Sequence, residues 1–313
     1  MKIALIGPGI MPIPPNGWGA VERLIWDYSK YLMAYDHRVD IINTPNRFAI
    51  IKKVNEGNYD FVHIHYDCFA DIIPKLKCKK IAITSHYPYI DQTMYHGPDG
   101  YDKTLHLILN NSNFHIFADS IKDYNAFINF KIKEPTKLHL LYNSIDSENL
   151  RFYSEGNNQA ICLGKLEWRK RQNLLGKMGI VDLVGKDTGC FGTLANYKGE
   201  WTDDEKFVNL GKYSAMVLMT LGENGTPLVL KEAMLCGMSV ITTKFGSSEI
   251  INAPGVTSID ETITQNPVML EFVIKEQIEK NKSIRQDIRN WALERFDFKK
   301  NIPEYIKQIE SLL

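Results

Sequence analysis

Short, strongly apolar runs alternate along the chain with longer segments whose apolar residues recur at helical spacing. The first such run is KIALIG, residues 2–7, and the first helical pattern is VERLIWDYSKYLM, residues 21–33. Apolar, β-branched runs predict buried strands, and their alternation with helices predicts parallel sheets covered by helices. The further predicted strands are VDIINT, FVHIHY, KIAITS, HIFADS and LHLLYN in the first half of the chain and AICLGKL, MGIVDLVGK, SAMVLMT and SVITT in the second.

A polar, Asn-rich segment, SIDSENLRFYSEGNNQ, separates the two series. Because it lacks hydrophobic periodicity, it predicts a linker between two α/β halves. In the second half, Thr202 and Glu205 have the spacing of a capping box and predict a helix that runs to Gly211. The acidic residues at its start are better explained by a helix N-terminus than by a metal. Residues 268–295 and 299–313 are predicted to be amphipathic helices.

Composition narrows the class of protein. A chain of 313 residues with 44% apolar content can bury a full core and suggests two domains. The chain has 37 Lys and Arg residues and 37 Asp and Glu residues. It therefore has no net charge that would attract nucleic acid or an anionic membrane. The N-terminal stretch MKIALIGPGIMPIPP is too short and too interrupted by proline to predict a signal peptide or a membrane span. Five cysteines without CxxC spacing predict reduced, buried thiols and no disulfide, in a cytosolic compartment.

Residues 219–251 predict a ligand site, because they combine a strand end, an acidic loop, a helix and a second acidic loop. The loop with Glu223 leads into a helix that begins near Pro227 and ends at Gly237. Ligands of an open parallel sheet bind where such loops leave the carboxyl ends of the strands, and the free N–H groups that open the helix attract phosphate. Glu232 lies inside this predicted helix.

Two other loops offer contacts for an anion. In GPGIMPIPPNGWGAVE, Pro12 stands where a dinucleotide fingerprint has its third glycine, and the chain has no GxxxxGK[ST] motif, which disfavours nicotinamide and P-loop sites. Gly19 in this loop allows the backbone to approach a ligand closely. In LGKLEWRKRQNLL, Lys165 and Lys170 are five positions apart across a turn and can surround one diphosphate. A solvated basic turn has the same spacing.

Taken together, these segments resemble the retaining, nucleotide-sugar-dependent glycosyltransferases of glycosyltransferase family 4. PPNGWGAVE resembles the Gly-Gly-x-Glu loop of that family, YDFVHIH and ITSH resemble its His-bearing strand ends, and LLYNSID resembles its Asn-Gly-Ile-Asp segment. LGKLEWRK resembles the phosphate clamp, GTPLVLKEAMLCGMSVITT with GSSEII resembles the Glu-x7-Glu region, and ALERFDFKKN resembles the closing Phe-x-Trp segment. The six motifs occur in the order of the family and cover nearly the whole chain.

The resemblance implies an α/β protein with the GT-B fold, in which two Rossmann-like domains enclose an interdomain cleft. Residues 1–152 would form the acceptor-side domain and 158–295 the nucleotide-sugar domain, while 296–313 would form a helix that crosses back to the first domain. The implied activity is a hexosyltransferase of the cytoplasm. It would move a sugar from a UDP- or GDP-sugar to a hydroxyl of a glycan, a lipid-linked glycan or a small molecule, with retention of configuration.

Position by position, the resemblance implies that Lys165 and Lys170 hold the donor diphosphate and that Gly19 lies near the same phosphates. Glu232 would accept hydrogen bonds from the donor ribose, and His86 would contact a hydroxyl of the transferred sugar. Ser248 and Glu249 would lie near the nucleotide or sugar, although a helix-capping role fits them equally well.

The chain also departs from the family pattern. Glu223 and Glu232 are nine positions apart instead of eight, so either Asn224 replaces the first glutamate or a one-residue insertion shifts Glu223, and we slightly favour the insertion. Lys165 stands where the family has an arginine. It keeps the positive charge but cannot make the two parallel hydrogen bonds with which an arginine binds a phosphate. Two alternatives therefore stay open: a catalytically weakened sugar-nucleotide-binding protein, and a GT-B-like sugar-nucleotide epimerase.

We expect neither a metal nor another cofactor. No Asp-x-Asp pair stands at a strand end, and the metal-like cluster His63-x-His65-x-Asp67 is expected to be structural or to face the acceptor. We expect no nucleic-acid partner. The sequence leaves peripheral membrane contact open and does not determine the oligomeric state, the donor base or the acceptor.

Overall fold

The computed structural model of the chain describes residues 1–110 and 113–312. The chain divides into two compact units. The first contains Met1–Pro15, Gly19–Asn143 and Phe298–Leu313, and the second contains Asn16–Trp18 and Ser144–Asp297. Leu313, the last residue of the predicted C-terminal helix, lies outside the described residues.

The first unit is built on a six-stranded sheet with the strand order β2-β1-β3-β4-β5-β6, and its strand pairs are parallel. Its strands are β1 (Lys2–Gly7), β2 (Arg38–Asn43), β3 (Phe61–Ile64), β4 (Ile81–Ile83), β5 (His115–Ala118) and β6 (Leu138–Leu140). Its helices are α1 (Ala20–Ala34), α2 (Arg47–Gly57), α3 (Asp102–Leu109), α4 (Ile121–Asn129) and α9 (Phe298–Leu312).

Both faces of this sheet are covered, which explains why its central strands β3 and β4 are buried along their whole length. Along β1, Ile3 and Leu5 pack with α1 and α9 on one face, while Ala4 and Ile6 pack with α2 on the other. The pleat alternates successive side chains between the two faces. Asn46 begins α2 by accepting a hydrogen bond from the N–H of Ala49, as expected for an N-cap residue.

The second unit is built on a five-stranded parallel sheet with the order β11-β10-β9-β7-β8. Its strands are β7 (Asn157–Leu163), β8 (Val181–Val184), β9 (Tyr213–Leu218), β10 (Ser239–Thr243) and β11 (Val256–Ile259). Its helices are α5 (Asp203–Asn209), α6 (Leu228–Leu235), α7 (Glu261–Thr264) and α8 (Pro267–Phe296).

Several predictions for this unit are confirmed. Thr202 and Glu205 form the capping box at the start of α5, and α6 begins directly after Pro227. Gly237, at φ +77°, follows the end of α6. The edge strand β11 was not predicted, because VTSI is short and only half-buried, so its sequence has little apolar signal.

The first residues of the predicted linker pack within the second unit. Ile145 pairs with Asp297, and the guanidinium of Arg285 donates to the carbonyl oxygen of Tyr153 at 2.7 Å. All five cysteines are free, but only Cys162 and Cys236 are buried, so the expectation of buried thiols holds for two of the five. Within residues 1–110 and 113–312, no helix is long and apolar enough to cross a membrane.

Candidate functional site

Each sheet reverses its strand order once, between β1 and β3 in the first unit and between β7 and β9 in the second. At such a point the loops that follow neighbouring strands run in opposite directions and leave polar backbone and side chains open to a ligand. In the second unit these loops contain Lys165, Lys170 and Glu223. In the first unit the loop after β1 leads to Gly19, and His86 follows β4. The predicted residues thus lie at the carboxyl edges of their own sheets.

A buried glutamine shapes the basic loop after β7. The side chain of Gln172 donates to the carbonyl oxygen of Lys165 at 2.9 Å and accepts from the N–H of Glu167 at 3.2 Å. The Lys170 ammonium lies 3.6 Å from the Glu167 carboxylate. Gly164 has φ +145°, and a Cβ there would lie 2.9 Å from Lys170 Nζ. Glycine therefore allows Lys170 to fold back over the end of β7.

Positive charge accumulates at this edge of the second sheet. The Lys165 ammonium lies 5.4 Å from the centroid of the Trp18 ring, and the Lys186 ammonium lies 4.9 Å from the same centroid. Lys186 follows β8, and the sequence motifs did not identify it. Together with Lys170, these side chains place three ammonium groups at the carboxyl ends of two adjacent strands, an arrangement suited to an anionic ligand.

The acidic loop after β9 is tied to the basic loop. Glu223 is buried, its Oε1 lies 2.5 Å from Arg169 Nη1, and it accepts a hydrogen bond from the Thr220 hydroxyl at 2.9 Å. The N–H of Leu221 donates to the carbonyl oxygen of Arg169 at 2.9 Å. The charge of Glu223 is thus balanced by a local arginine. Asn224 is the next, half-buried residue, and which of the two fills the first-glutamate position stays a prediction.

Glu232 lies on α6 and has a cationic partner on α5. Its Oε1 is 2.7 Å from Lys206 Nζ, which also lies 3.7 Å from Asp203 Oδ1. The side chains of Lys206 and Glu232 are 15% and 11% exposed. A carboxylate has four lone-pair positions, so this contact still allows Glu232 to accept hydrogen bonds from sugar hydroxyls.

Glu249, in the second acidic loop, connects that loop to the first acidic loop and to α6. Its carboxylate lies 2.7 Å from Lys231 Nζ, with the two side chains 5% and 1% exposed. Glu249 also accepts from the N–H of Thr226 at 3.3 Å, while the Thr226 hydroxyl accepts from the N–H of Glu249 at 3.2 Å. The neighbouring Ser248 hydroxyl oxygen is buried and has no hydrogen-bond partner among the described residues. The roles proposed for Ser248 and Glu249 at the ligand stay predictions.

In the first unit, His86 lies beside a buried carboxylate that the motifs did not identify. Its Nδ1 is 3.5 Å from Oδ2 of Asp119, which follows β5 and is 2% exposed, and its Nε2 has no hydrogen-bond partner in the described part of the chain. Gly19 caps the start of α1, where a Cβ would lie 3.2 Å from the carboxylate of Glu22. Burial raises the pKa of Glu22, which accepts a backbone hydrogen bond from Met11 in the loop after β1.

Two members of the cluster His63-x-His65-x-Asp67, His63 and Asp67, form hydrogen bonds with other side chains of the first unit. His63 Nδ1 lies 2.8 Å from the Tyr305 hydroxyl and its Nε2 lies 2.8 Å from the Thr84 hydroxyl. Asp67 accepts from Ser85 and Tyr101, and burial raises its pKa. Among the described residues, no group of three His, Cys, Asp or Glu side chains could hold a metal ion.

The sequence motifs missed four residues that shape these sites: Gln172, Lys186, Lys206 and Asp119. Asp119 is the penultimate residue of the predicted strand HIFADS and directly follows β5, and its place after a buried strand was a signal that could have identified it. The other three lie in polar segments, where a lysine or glutamine in contact with the site has the same local sequence as a solvated one.

Comparisons with known proteins support the fold. No family model matches the chain, and no curated protein matches it. Among solved structures, HepE from Anabaena in complex with UDP-glucose is 17% identical, with a TM-score of 0.75 and coverage of 99% of this chain and 100% of that one. WaaG, a glycosyltransferase involved in lipopolysaccharide biosynthesis, is 15% identical, with a TM-score of 0.74 and coverage of 98% and 99%. Sucrose-phosphate synthase from Thermosynechococcus elongatus is 13% identical, with a TM-score of 0.75 and coverage of 99% and 98%. The chain therefore has the GT-B fold, an α/β architecture that it shares with glycosyltransferases.

Proposed function

We propose that this protein is a glycosyltransferase that uses a nucleoside-diphosphate sugar as its donor. The observation that carries the proposal is the edge of the second sheet, where Lys165, Lys170 and Lys186 lie around the ends of β7 and β8, while Glu232 lies on α6, the helix that follows β9. A diphosphate needs cations, and a ribose needs a hydrogen-bond acceptor such as a carboxylate. The shared fold with HepE, crystallised with UDP-glucose, supports the same ligand class.

In the proposed reaction, the bond between the anomeric carbon and the diphosphate oxygen breaks and the electron pair stays on that oxygen. Lys165 and Lys170 stabilise the added negative charge, because fixed cations lower the energy of a charge that develops in the transition state. The acceptor hydroxyl attacks the anomeric carbon from the same face, and its proton passes to the leaving phosphate oxygen. The sugar therefore keeps its anomeric configuration.

We assign His86 to a hydroxyl of the transferred sugar. Its Nδ1 faces Asp119 while its Nε2 has no hydrogen-bond partner among the described residues, so Nε2 is the nitrogen left for a substrate. A buried carboxylate beside the opposite ring nitrogen orients an imidazole. The sugar is expected to be a hexose, the acceptor a glycan, lipid-linked glycan or small molecule, and turnover to need no divalent metal.

The test is a thermal-shift screen with UDP, GDP and ADP and their glucose conjugates. A nucleotide at about 100 times its Kd stabilises a protein by about 2.7 kcal/mol, roughly 5 to 11 °C for a unit of this size. We expect Lys170→Ala to abolish the shift and to leave the melting temperature of the free protein nearly unchanged. The matched control is Lys275→Ala, because Lys275 lies on α8 with its side chain 58% exposed. An undiminished shift in Lys170→Ala would remove Lys170 from the phosphate site.

Product analysis then separates the remaining alternatives. A transferase releases free nucleoside diphosphate, an epimerase changes the configuration of the sugar while the nucleotide stays attached, and a binding protein leaves the donor unchanged. The contact of Glu223 with Arg169 motivates the binding-protein alternative. It neutralises the charge of Glu223, one of the two glutamates that we compare with the Glu-x7-Glu region. Activity that EDTA abolishes and Mn²⁺ restores would contradict metal-independent turnover.

A further inference from the structure

Lys206 is a lysine of the second unit that none of the sequence motifs includes. It lies on α5, a short helix whose start is fixed by the capping box of Thr202 and Glu205. Its ammonium is 2.7 Å from Glu232 on α6 and 3.7 Å from Asp203 in its own helix. Its side chain is 15% exposed, so most of its surface is withdrawn from water. The lysine is therefore held in place and is not a freely moving surface cation.

The local charge of this group depends on Lys206. Asp203 and Glu232 together contribute two negative charges, and Lys206 reduces the sum to one. Without the lysine, the ribose-binding carboxylate would lose its contact at 2.7 Å, and the repulsion between the site and an incoming diphosphate would increase. A long glutamate side chain would also regain rotamers that the contact now excludes.

We infer that Lys206 is a positioning residue for the donor, which holds the Glu232 carboxylate in place to accept the hydroxyl groups of the ribose. The inference rests on the proposed function and adds to it a determinant of ribose recognition. One oxygen of Glu232 faces the ammonium at 2.7 Å, and the remaining lone pairs accept from the sugar. In this arrangement Lys206 acts through Glu232 and does not itself contact the reacting atoms.

A simple bracing role between α5 and α6 predicts a different outcome. In that case loss of Lys206 lowers the melting temperature but leaves the preference for ribose intact. The positioning role predicts that the preference itself disappears, because a displaced carboxylate cannot accept from both hydroxyls. The measurement therefore has to compare nucleotides with and without the ribose hydroxyls, in addition to measuring overall affinity.

Isothermal titration with UDP and with 2′,3′-dideoxy-UDP, repeated with the corresponding guanine and adenine nucleotides, makes this distinction. Wild-type protein should bind the ribonucleotide about 10- to 100-fold more tightly than the dideoxy form, the contribution of hydrogen bonds to a charged group. Lys206→Met should reduce this ratio to about one, whereas Lys206→Arg, which keeps the charge, should retain most of it. Lys275→Ala, the exposed control on α8, should keep both affinities and the ratio.

A double-mutant cycle completes the test. If Lys206 acts through Glu232, then Lys206→Met should cause no further loss of the ratio in a Glu232→Gln background. A Lys206→Met protein that keeps the wild-type ratio, with or without a lower melting temperature, overturns the inference and leaves the proposed function standing. Wild-type protein that binds none of UDP, GDP and ADP overturns the proposed function and the inference with it.

Discussion

Replacing Lys231 by methionine tests how the second unit tolerates an uncompensated buried charge. Lys231 is 1% exposed, its ammonium lies 2.7 Å from the Glu249 carboxylate, and it lies 5.0 Å from the centroid of the Phe296 ring. Methionine retains most of the volume of the side chain, so the main change is the loss of the cation. The remaining carboxylate would stay 95% buried with its charge no longer balanced by Lys231.

Breaking a buried ion pair from one side costs about 3 to 5 kcal/mol, because the remaining charge has already lost its hydration. For a unit of this size each kcal/mol lowers the melting temperature by about 2 to 4 °C, so we expect a decrease of roughly 6 to 20 °C. In the double variant Lys231→Met with Glu249→Gln, the glutamine oxygen can still accept from the N–H of Thr226, so most of the loss should be recovered.

Differential scanning calorimetry of the full chain measures these changes. The matched control is Lys275→Met, whose ammonium lies 2.6 Å from Glu271 but whose side chain is 58% exposed. The two pairs have nearly equal distances and differ in burial, so the control should change stability by less than about 1 kcal/mol. Equal melting temperatures for Lys231→Met and Lys275→Met would refute the argument that burial determines the cost.

The two remaining predictions concern stability at acid pH and the acidic loop after β9. Burial lowers the pKa of His63 from 6.5 to about 3, so the folded state binds its proton less readily than the unfolded state. The stability from neutral His63 is then complete above pH 6.5 and is lost as the pH falls towards 3, by about 2 to 3 kcal/mol at pH 4.5. Urea denaturation at pH 7 and 4.5 should show a smaller loss for His63→Gln, and equal losses would contradict this cause. If Glu223 fills the first-glutamate position, Glu223→Gln should lower kcat at least tenfold, the effect of about 1.4 kcal/mol in the transition state, and Asn224→Ala should not. The reverse order, measured by nucleotide release, would assign the position to Asn224.

The local sequence was sufficient to predict most strands and several helices of the fold. The apolar runs KIALIG and SAMVLMT predicted β1 and β9, and the spacing of Thr202 and Glu205 predicted the start of α5. These features were predictable because side-chain periodicity and helix capping depend on residues within one or two turns of each other. The approximate positions of Lys165, Lys170 and Glu223 followed from the same logic, since loops after parallel strands lie at one edge of a sheet.

The sequence alone therefore determined most of the strands, several of the helices and the loops that carry polar groups, because those properties depend on neighbouring residues. Only the tertiary structure decided which charges meet. The contacts of Lys206 with Glu232 and of Arg169 with Glu223 join residues on different elements. So does the contact of Lys231 with Glu249. Such pairs have no local signature, because an ion pair depends on the distance between side chains in space, and that distance is set by how the helices and loops pack on the sheet.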